Sequence, residues 1–337
     1  MVKPTLFITQ PVEASALRKL TALMEVEVHP DATKTISKES LINGVREKDY
    51  LFCRLGDQID ADVIGANKNL KLIATMATGS GGIDVNTATK LKIPVIGRDI
   101  SNQKEGYSGI VEETADLTWV LLMAVARRIL EGDRLVRSGV FPGPHSMCLL
   151  GSGVYGKSIG IVGMGKIGRA VSRRARAFGM TIFYYSRKRH PDVEEGFAAA
   201  YLSFEELLQT VDFVCMLPQY SAETHHMIGE KQLSLMRPTA FLINTSRGPV
   251  VDQEALVKAL RMKKIAGAAL DVFEGEPHPV LPKELIAMPN CVLTPHMGSA
   301  VAEKREIMVN EIADEIIAFS QGKAPSHPFN PEVLGRK

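Results

Sequence analysis

The sequence has no long apolar run, almost no excess of either charge, few cysteines and a single tryptophan. No stretch approaches the ~18 consecutive apolar residues that mark a membrane helix, and the N-terminus begins on a polar, proline-containing segment without the apolar core of a secretory signal. Cytoplasmic is therefore the expected location. Lysine and arginine number 40 against 38 aspartates and glutamates, a net charge of +2, so there is no global electrostatic case for a nucleic-acid or membrane partner. Cys53, Cys148, Cys215 and Cys291 form no C-x-x-C and no zinc-ligand spacing, which predicts a reducing compartment and no metal site. Trp119 lies in an apolar helical stretch and reads as packing. Repeats and low-complexity segments are also missing.

What is present is a chain of 337 residues, 45% apolar and 23% charged, long enough for about two domains of ~100–200 residues. The first hundred residues alternate short apolar strands (Leu6–Thr9, Val26–His29, Tyr50–Cys53, Lys71–Ala74, Pro94–Ile96) with helical patterns (Ala14–Leu23, Ser37–Gly44, Asp60–Ala66). That alternation predicts a parallel sheet covered on both faces. A glycine-rich loop, Thr75 to Gly82, follows the fourth strand, and the carboxyl edge of a parallel sheet is where ligands sit. Residues 111–130 predict one long amphipathic helix, with Leu117, Leu121, Ala124 and Val125 on one face.

The most specific stretch runs from Ser158 to Arg187. An apolar strand enters Gly163-Met164-Gly165-Lys166-Ile167-Gly168, an amphipathic helix follows, and a second strand spans Thr181 to Tyr185. In a strand–turn–helix–strand context the G-x-G-x-x-G pattern is a dinucleotide-binding fingerprint. Gly163 permits the tight turn, Gly165 lets backbone approach a pyrophosphate, Gly168 lets the helix pack close, and the helix N-terminus faces the phosphates. An acidic residue normally closes the second strand and holds the ribose 2′-hydroxyl of NAD. Here Tyr185 is followed by Ser186-Arg187-Lys188-Arg189, a serine and cations suited to a 2′-phosphate. NADP(H) is the expected cofactor, with NAD(H) as the alternative.

Beyond this unit, strands are predicted at Asp212–Met216, Ala240–Asn244, Gly267–Leu270 and Cys291–Leu293, and the last helix over Ala302–Phe319. A nicotinamide implies hydride transfer, which needs a partner to move a proton on or off oxygen. Histidine suits that near neutral pH. Of eight histidines, His296 stands just past a strand end, in CVLTPHMGSA. Arg247 (NTSRGP) and Glu276 (FEGEP) also follow strand ends. Together they make a hydroxy-acid site: Arg247 for the substrate carboxylate, His296 for the proton, Glu276 to orient the imidazole.

At these residues the chain resembles the D-isomer-specific 2-hydroxyacid dehydrogenase family, through GIVGMGKIG, INTSRGPVVD, GAALDVFEGEP and TPHMGSA in that order, and within it the glyoxylate/hydroxypyruvate reductase branch, through LFCRLGDQIDADVI and LKLIATMATG. The resemblance implies an α/β fold of two Rossmann-like parallel-sheet domains, one flavodoxin-like and one dinucleotide-binding. The cofactor domain, 107–298, would be inserted in a substrate domain of 1–106 and 299–337. It implies reduction of a small 2-keto acid to the D-2-hydroxy acid, with Arg247, Glu276 and His296 as the catalytic set. Thr78 and Gly79, with Arg247 and His296, would bind substrate. Implied cofactor contacts are Lys166 and Ile167 at the pyrophosphate, Ser186, Arg187 and Lys188 at the adenosine ribose, Pro218 and Thr224 near the adenosine, and Thr114, Thr245, Asp271 and Gly298 around the nicotinamide. Homodimers built on the cofactor domain are also implied. The sequence departs from the branch at Thr78, where a valine is usual, and holds no tryptophan in Ser146–Leu150. Alternatives on the same scaffold are phosphite oxidation, whose enzymes carry a lysine at the position of Thr78, formate oxidation, which pairs the histidine with glutamine, and a nucleotide-sensing corepressor.

Overall fold

The computed structural model describes residues 3–54, 56–77, 79–98 and 110–335. The chain divides into two compact units, Met1–Gly109 with Val301–Lys337, and Ile110–Ala300.

The first unit is built on β1 (Thr5–Ile8), β2 (Glu25–Val28), β3 (Tyr50–Cys53), β4 (Leu72–Thr75) and β5 (Val95–Ile96). They pair in the order β2-β1-β3-β4-β5, every pair parallel. β3 and β4 are buried at every position, as strands covered on both faces must be. Leu6, Ile8, Phe52 and Leu72 pack on one face with Met308, Val309, Ile312 and Ile316 of helix Ala302–Ser320. Phe7, Leu51 and Ile73 pack on the other with Leu41, Val63 and Ala88. Ala88 belongs to helix Val85–Lys90, an element the hydrophobic pattern does not announce; Asp84 caps it by accepting from the Thr87 amide at 3.0 Å.

The second unit carries β6 (Ser158–Val162), β7 (Thr181–Tyr185), β8 (Ala200–Tyr201), β9 (Phe213–Met216), β10 (Phe241–Asn244), β11 (Gly267–Leu270) and β12 (Cys291–Leu293). Their order is β12-β11-β10-β9-β6-β7-β8, again all parallel. The chain runs outward from β6 through β7 to β8, then returns to the other side of β6 to begin β9. The gap between β6 and β9 is thus a topological switch point, the crevice where doubly wound sheets bind ligands. Helix Lys166–Ala177 and helix Val111–Ala126 cover one face, and Arg174 ties them by donating to Glu112 at 3.0 Å and Asp116 at 2.9 Å.

The single helix expected over 111–130 is two. It ends at Ala126, Arg128 takes a left-handed conformation with φ 54°, and a second helix runs Ile129–Arg137. The side chain of Arg128 then closes on Glu131 through two hydrogen bonds of 2.8 and 2.7 Å. Among the described residues no helix is long and apolar enough to cross a membrane.

Candidate active site

The glycine turn after β6 sits at the switch point. Gly163 has φ 100°, and a Cβ there would lie 2.7 Å from the Leu217 carbonyl and 2.8 Å from the Pro218 nitrogen, just past β9. Only glycine fits both demands. At Gly168 a Cβ would collide with the Gly163 carbonyl oxygen, so the helix seats directly on the turn. Gly165 faces open space, and as the N-cap of helix Lys166–Ala177 it offers no side chain to the first-turn amides. No acidic residue lies in that turn, Lys166 is exposed, and Ile167 anchors the helix on the core. Free amides, the positive end of a helix dipole and a lysine fit a pyrophosphate. The residues present therefore suit a dinucleotide.

Past β7, the Ser186 hydroxyl donates to the Lys188 carbonyl at 2.5 Å, fixing a tight turn. Arg189 is drawn away: it pairs with Glu194 at 2.6 Å and lies over the Tyr201 ring. Arg187 and Lys188 are exposed and form no ion pair among the described residues. Of the basic run, two cations are thus left for a phosphate. Thr224 closes its own turn, accepting from the Ser221 amide at 2.8 Å and donating to the Gln219 carbonyl at 3.0 Å.

The other cluster lies where β10, β11 and β12 end. The turn carrying Arg247 is held by the buried Asn244, whose Oδ1 accepts from the Ser246 amide and hydroxyl and whose Nδ2 donates to the Arg247 carbonyl. Gly248 packs so tightly on the Phe273 carbonyl that a Cβ could not enter. Phe273 in turn donates its amide to Glu276 Oε1 at 2.9 Å. The arginine turn and the glutamate turn are one assembly. Arg247 is exposed, with Nη1 donating to the Ser246 carbonyl at 2.7 Å.

Glu276 Oε2 lies 2.6 Å from His296 Nδ1. A carboxylate only accepts, so Nδ1 carries the hydrogen and Nε2 is the free working end of the ring. FEGEP offers a second glutamate, Glu274, but it pairs with His226 Nε2 at 2.7 Å. The His296 backbone is left-handed, φ 54°, a conformation that needs outside support in a non-glycine residue. Asp271 supplies it. Its carbonyl accepts the His296 amide at 2.8 Å, and its carboxylate accepts from the Thr294 hydroxyl (2.6 Å), the Met297 amide (2.7 Å) and the Gly298 amide (3.0 Å). Burial pushes the Asp271 carboxyl above its ordinary range, opposed by those three donors. Thr114 extends the cluster by donating to the Gly298 carbonyl at 3.2 Å, and Thr118, one turn on, meets Thr245 at 2.7 Å.

The structure thus joins Glu276 to His296, and Asp271 and Thr114 to the loop of Gly298 that carries the histidine, with Thr245 reached through Thr118. In the first unit, Gly79 is exposed past β4, and Thr78 lies outside the described residues. Asn244, Phe273 and Thr294 hold the site but are not singled out by the sequence reading, although all three stand in or beside its motifs. Thr118 has no motif at all.

Residues 119–298 match the model of the family described as D-isomer specific 2-hydroxyacid dehydrogenase, NAD binding domain. The chain is 45% identical to the glyoxylate reductase of Thermococcus onnurineus over 99% of its own length and 98% of that protein. Among solved structures it is similar to a protein from Thermus thermophilus, with a TM-score of 0.82 at 37% identity, covering 96% of this chain and 99% of that one. It is also similar to an NADPH-dependent glyoxylate/hydroxypyruvate reductase from Sinorhizobium meliloti in complex with NADP and malonate, with a TM-score of 0.69 at 28% identity and 99% of each chain covered.

Proposed function

The chain belongs to the D-isomer-specific 2-hydroxyacid dehydrogenase family, an NAD(P)-dependent class, and on that premise we propose that it reduces a small 2-keto acid of the glyoxylate or hydroxypyruvate kind to the D-2-hydroxy acid. The observation that carries this reading is the 2.6 Å contact between Glu276 and His296 Nδ1. It leaves Nε2 as the one ring atom able to give a proton. A reduced nicotinamide, when bound, supplies hydride to the carbonyl carbon. His296 Nε2 delivers the proton to the carbonyl oxygen, and Glu276 holds the tautomer while the ring is charged and after it has become neutral. Arg247 pairs with the substrate carboxylate and draws electron density from the adjoining carbonyl.

Arg187 and Lys188, with no acid after β7, support a preference for NADP(H) over NAD(H). A homodimer is part of the proposal, formed through the second unit. Val120, Ile129, Phe141, Met147, Leu150 and Tyr155 are all exposed there, Tyr155 at 86%, and large apolar side chains open to water are what an association surface would cover.

The test is absorbance at 340 nm with glyoxylate, hydroxypyruvate and pyruvate, each with NADPH and with NADH. Consumption is expected with at least one of the keto acids, faster with NADPH at low cofactor concentration. No consumption with any of them, despite tight cofactor binding, would replace the reductase reading with a nucleotide-sensing one.

A further inference from the structure

Two threonines meet inside the second unit. Thr118, fully buried on helix Val111–Ala126, lies 2.7 Å from the hydroxyl of Thr245, which is 7% exposed at the end of β10. Counting protons decides which gives and which receives. The Thr118 hydroxyl is also 2.7 Å from the Thr114 carbonyl oxygen. A carbonyl has no proton, so that contact is attractive only if Thr118 donates, and a hydroxyl has one hydrogen to give. Thr245 must therefore donate to Thr118. What remains on the Thr245 oxygen is lone pairs.

The place matters. Asn244 of β10 pairs with Leu270 of β11, and the Asp271 amide donates to the Asn244 carbonyl at 3.0 Å. Thr245 and Asp271 thus stand at the same level, one residue past neighbouring strand ends. The Asp271 carboxylate faces hydroxyl and amide donors from Thr294, Met297 and Gly298, and it too is acceptor-only. Two acceptors, each one residue past the end of neighbouring strands, are matched by one group bearing two N–H donors. In the nicotinamide carboxamide that group is the –NH₂, not the carbonyl.

We infer that Thr118 is a positioning residue: by taking the Thr245 proton it fixes that hydroxyl as an acceptor for the carboxamide N–H of the cofactor. The inference rests on the nicotinamide-dependent reading above. It adds to that reading a residue which touches neither substrate nor cofactor and yet sets the polarity of one that does. Without Thr118 the Thr245 hydrogen is free to turn, and the hydroxyl can present a donor to a donor.

The experiment compares binding of NADP⁺ with that of its 3-acetylpyridine analogue, in which a methyl replaces the –NH₂, by calorimetry on the full chain. The wild type is expected to bind NADP⁺ more tightly than the analogue. Thr118→Val keeps the shape and removes the hydroxyl. It should weaken NADP⁺ by about two- to tenfold, the range of one hydrogen bond, while leaving the analogue within about twofold, so that the preference shrinks. Thr245→Val should do the same, and Thr118→Ser should restore the wild-type preference. The thionicotinamide analogue, which keeps the –NH₂, should follow NADP⁺ in every variant. Equal weakening of NADP⁺ and the acetylpyridine analogue in Thr118→Val would make Thr118 a packing residue and overturn the inference, leaving the reductase reading intact. Failure of the wild type to bind any of the nucleotides would sink the reading itself and the inference with it. Melting temperatures show whether each variant is folded.

Discussion

A carboxylate and an imidazole 2.6 Å apart divide their labour by chemistry that neither could perform alone. Glu276 has both oxygens occupied, one by His296 and one by the Phe273 amide, so it cannot swing away as the ring changes charge. Replacing His296 with asparagine removes the only nitrogen able to donate at the position of Nε2. The expected loss in kcat is about 10²- to 10⁴-fold, the usual worth of a positioned general acid, with the dissociation constant of NADPH unchanged by titration calorimetry. A parallel collapse of cofactor binding would instead make His296 part of the nucleotide site. This residue, with Arg247 and Glu276, was legible in the sequence because each follows a strand end in a recognisable motif. The sequence pointed to Glu276 rather than Glu274 although both stand in the same five residues, and their partners separate them: Glu276 meets His296 and Glu274 meets His226. Thr118 was not legible: a threonine one turn from another on an apolar helix carries no pattern.

Short elements behave differently from long ones. The strands of both sheets were readable to within a residue or two, because buried parallel strands are continuous apolar runs. Helices Val85–Lys90, Pro191–Phe197 and Lys283–Ala287 are too short to show a 3.6-residue period, and β8 is two residues that pair only with Phe183 and Tyr184. The break after Ala126 leaves no trace in the sequence for another reason. A left-handed arginine is uncommon, and neither glycine nor proline marks the spot. Where caps are explicit, the elements that depend on them can be tested. Ser203 accepts the Glu206 amide while Glu206 accepts the Ser203 amide, a reciprocal box opening helix Phe204–Thr210. Ser203→Ala should cost about 0.5–2 kcal/mol of stability, read from urea unfolding, with kcat unaltered. A cost below that range would mean that packing of Leu207 and Leu208 holds the helix unaided.

Over the whole molecule, carboxylates set the response to acid. Hydrogen bonds hold Asp60, Asp84 and Glu206 below their ordinary range, from Lys38, Thr87 and Ser203 respectively. A depressed carboxylate binds fewer protons folded than unfolded. Its contribution is complete above the unfolded value near ~4 and is lost as pH falls through the lower folded value. Asp271, pushed up by burial, has the opposite sign and favours the folded state as it protonates, at pH values above the ordinary range. Urea midpoints measured from pH 7 to pH 3 should therefore hold or rise slightly at first and decline only below about pH 4. A steady decline starting near neutrality would assign acid sensitivity to histidines instead.

The first unit takes its sheet from the beginning of the chain and one of that sheet's covers from the end: Lys19 grips Asp314 at 2.8 Å, Ser15 meets Asn310, and Asn330 accepts the Val95 amide. During synthesis, which runs from the N-terminus at ~5–20 residues per second, strands β1–β5 must wait for helix Ala302–Ser320, some two hundred residues later. The second unit, continuous from Ile110 to Ala300, has no such wait. The first unit's sheet thus gains this cover only after the whole second unit has been made, and until helix Ala302–Ser320 is synthesised one of its apolar faces lacks that partner.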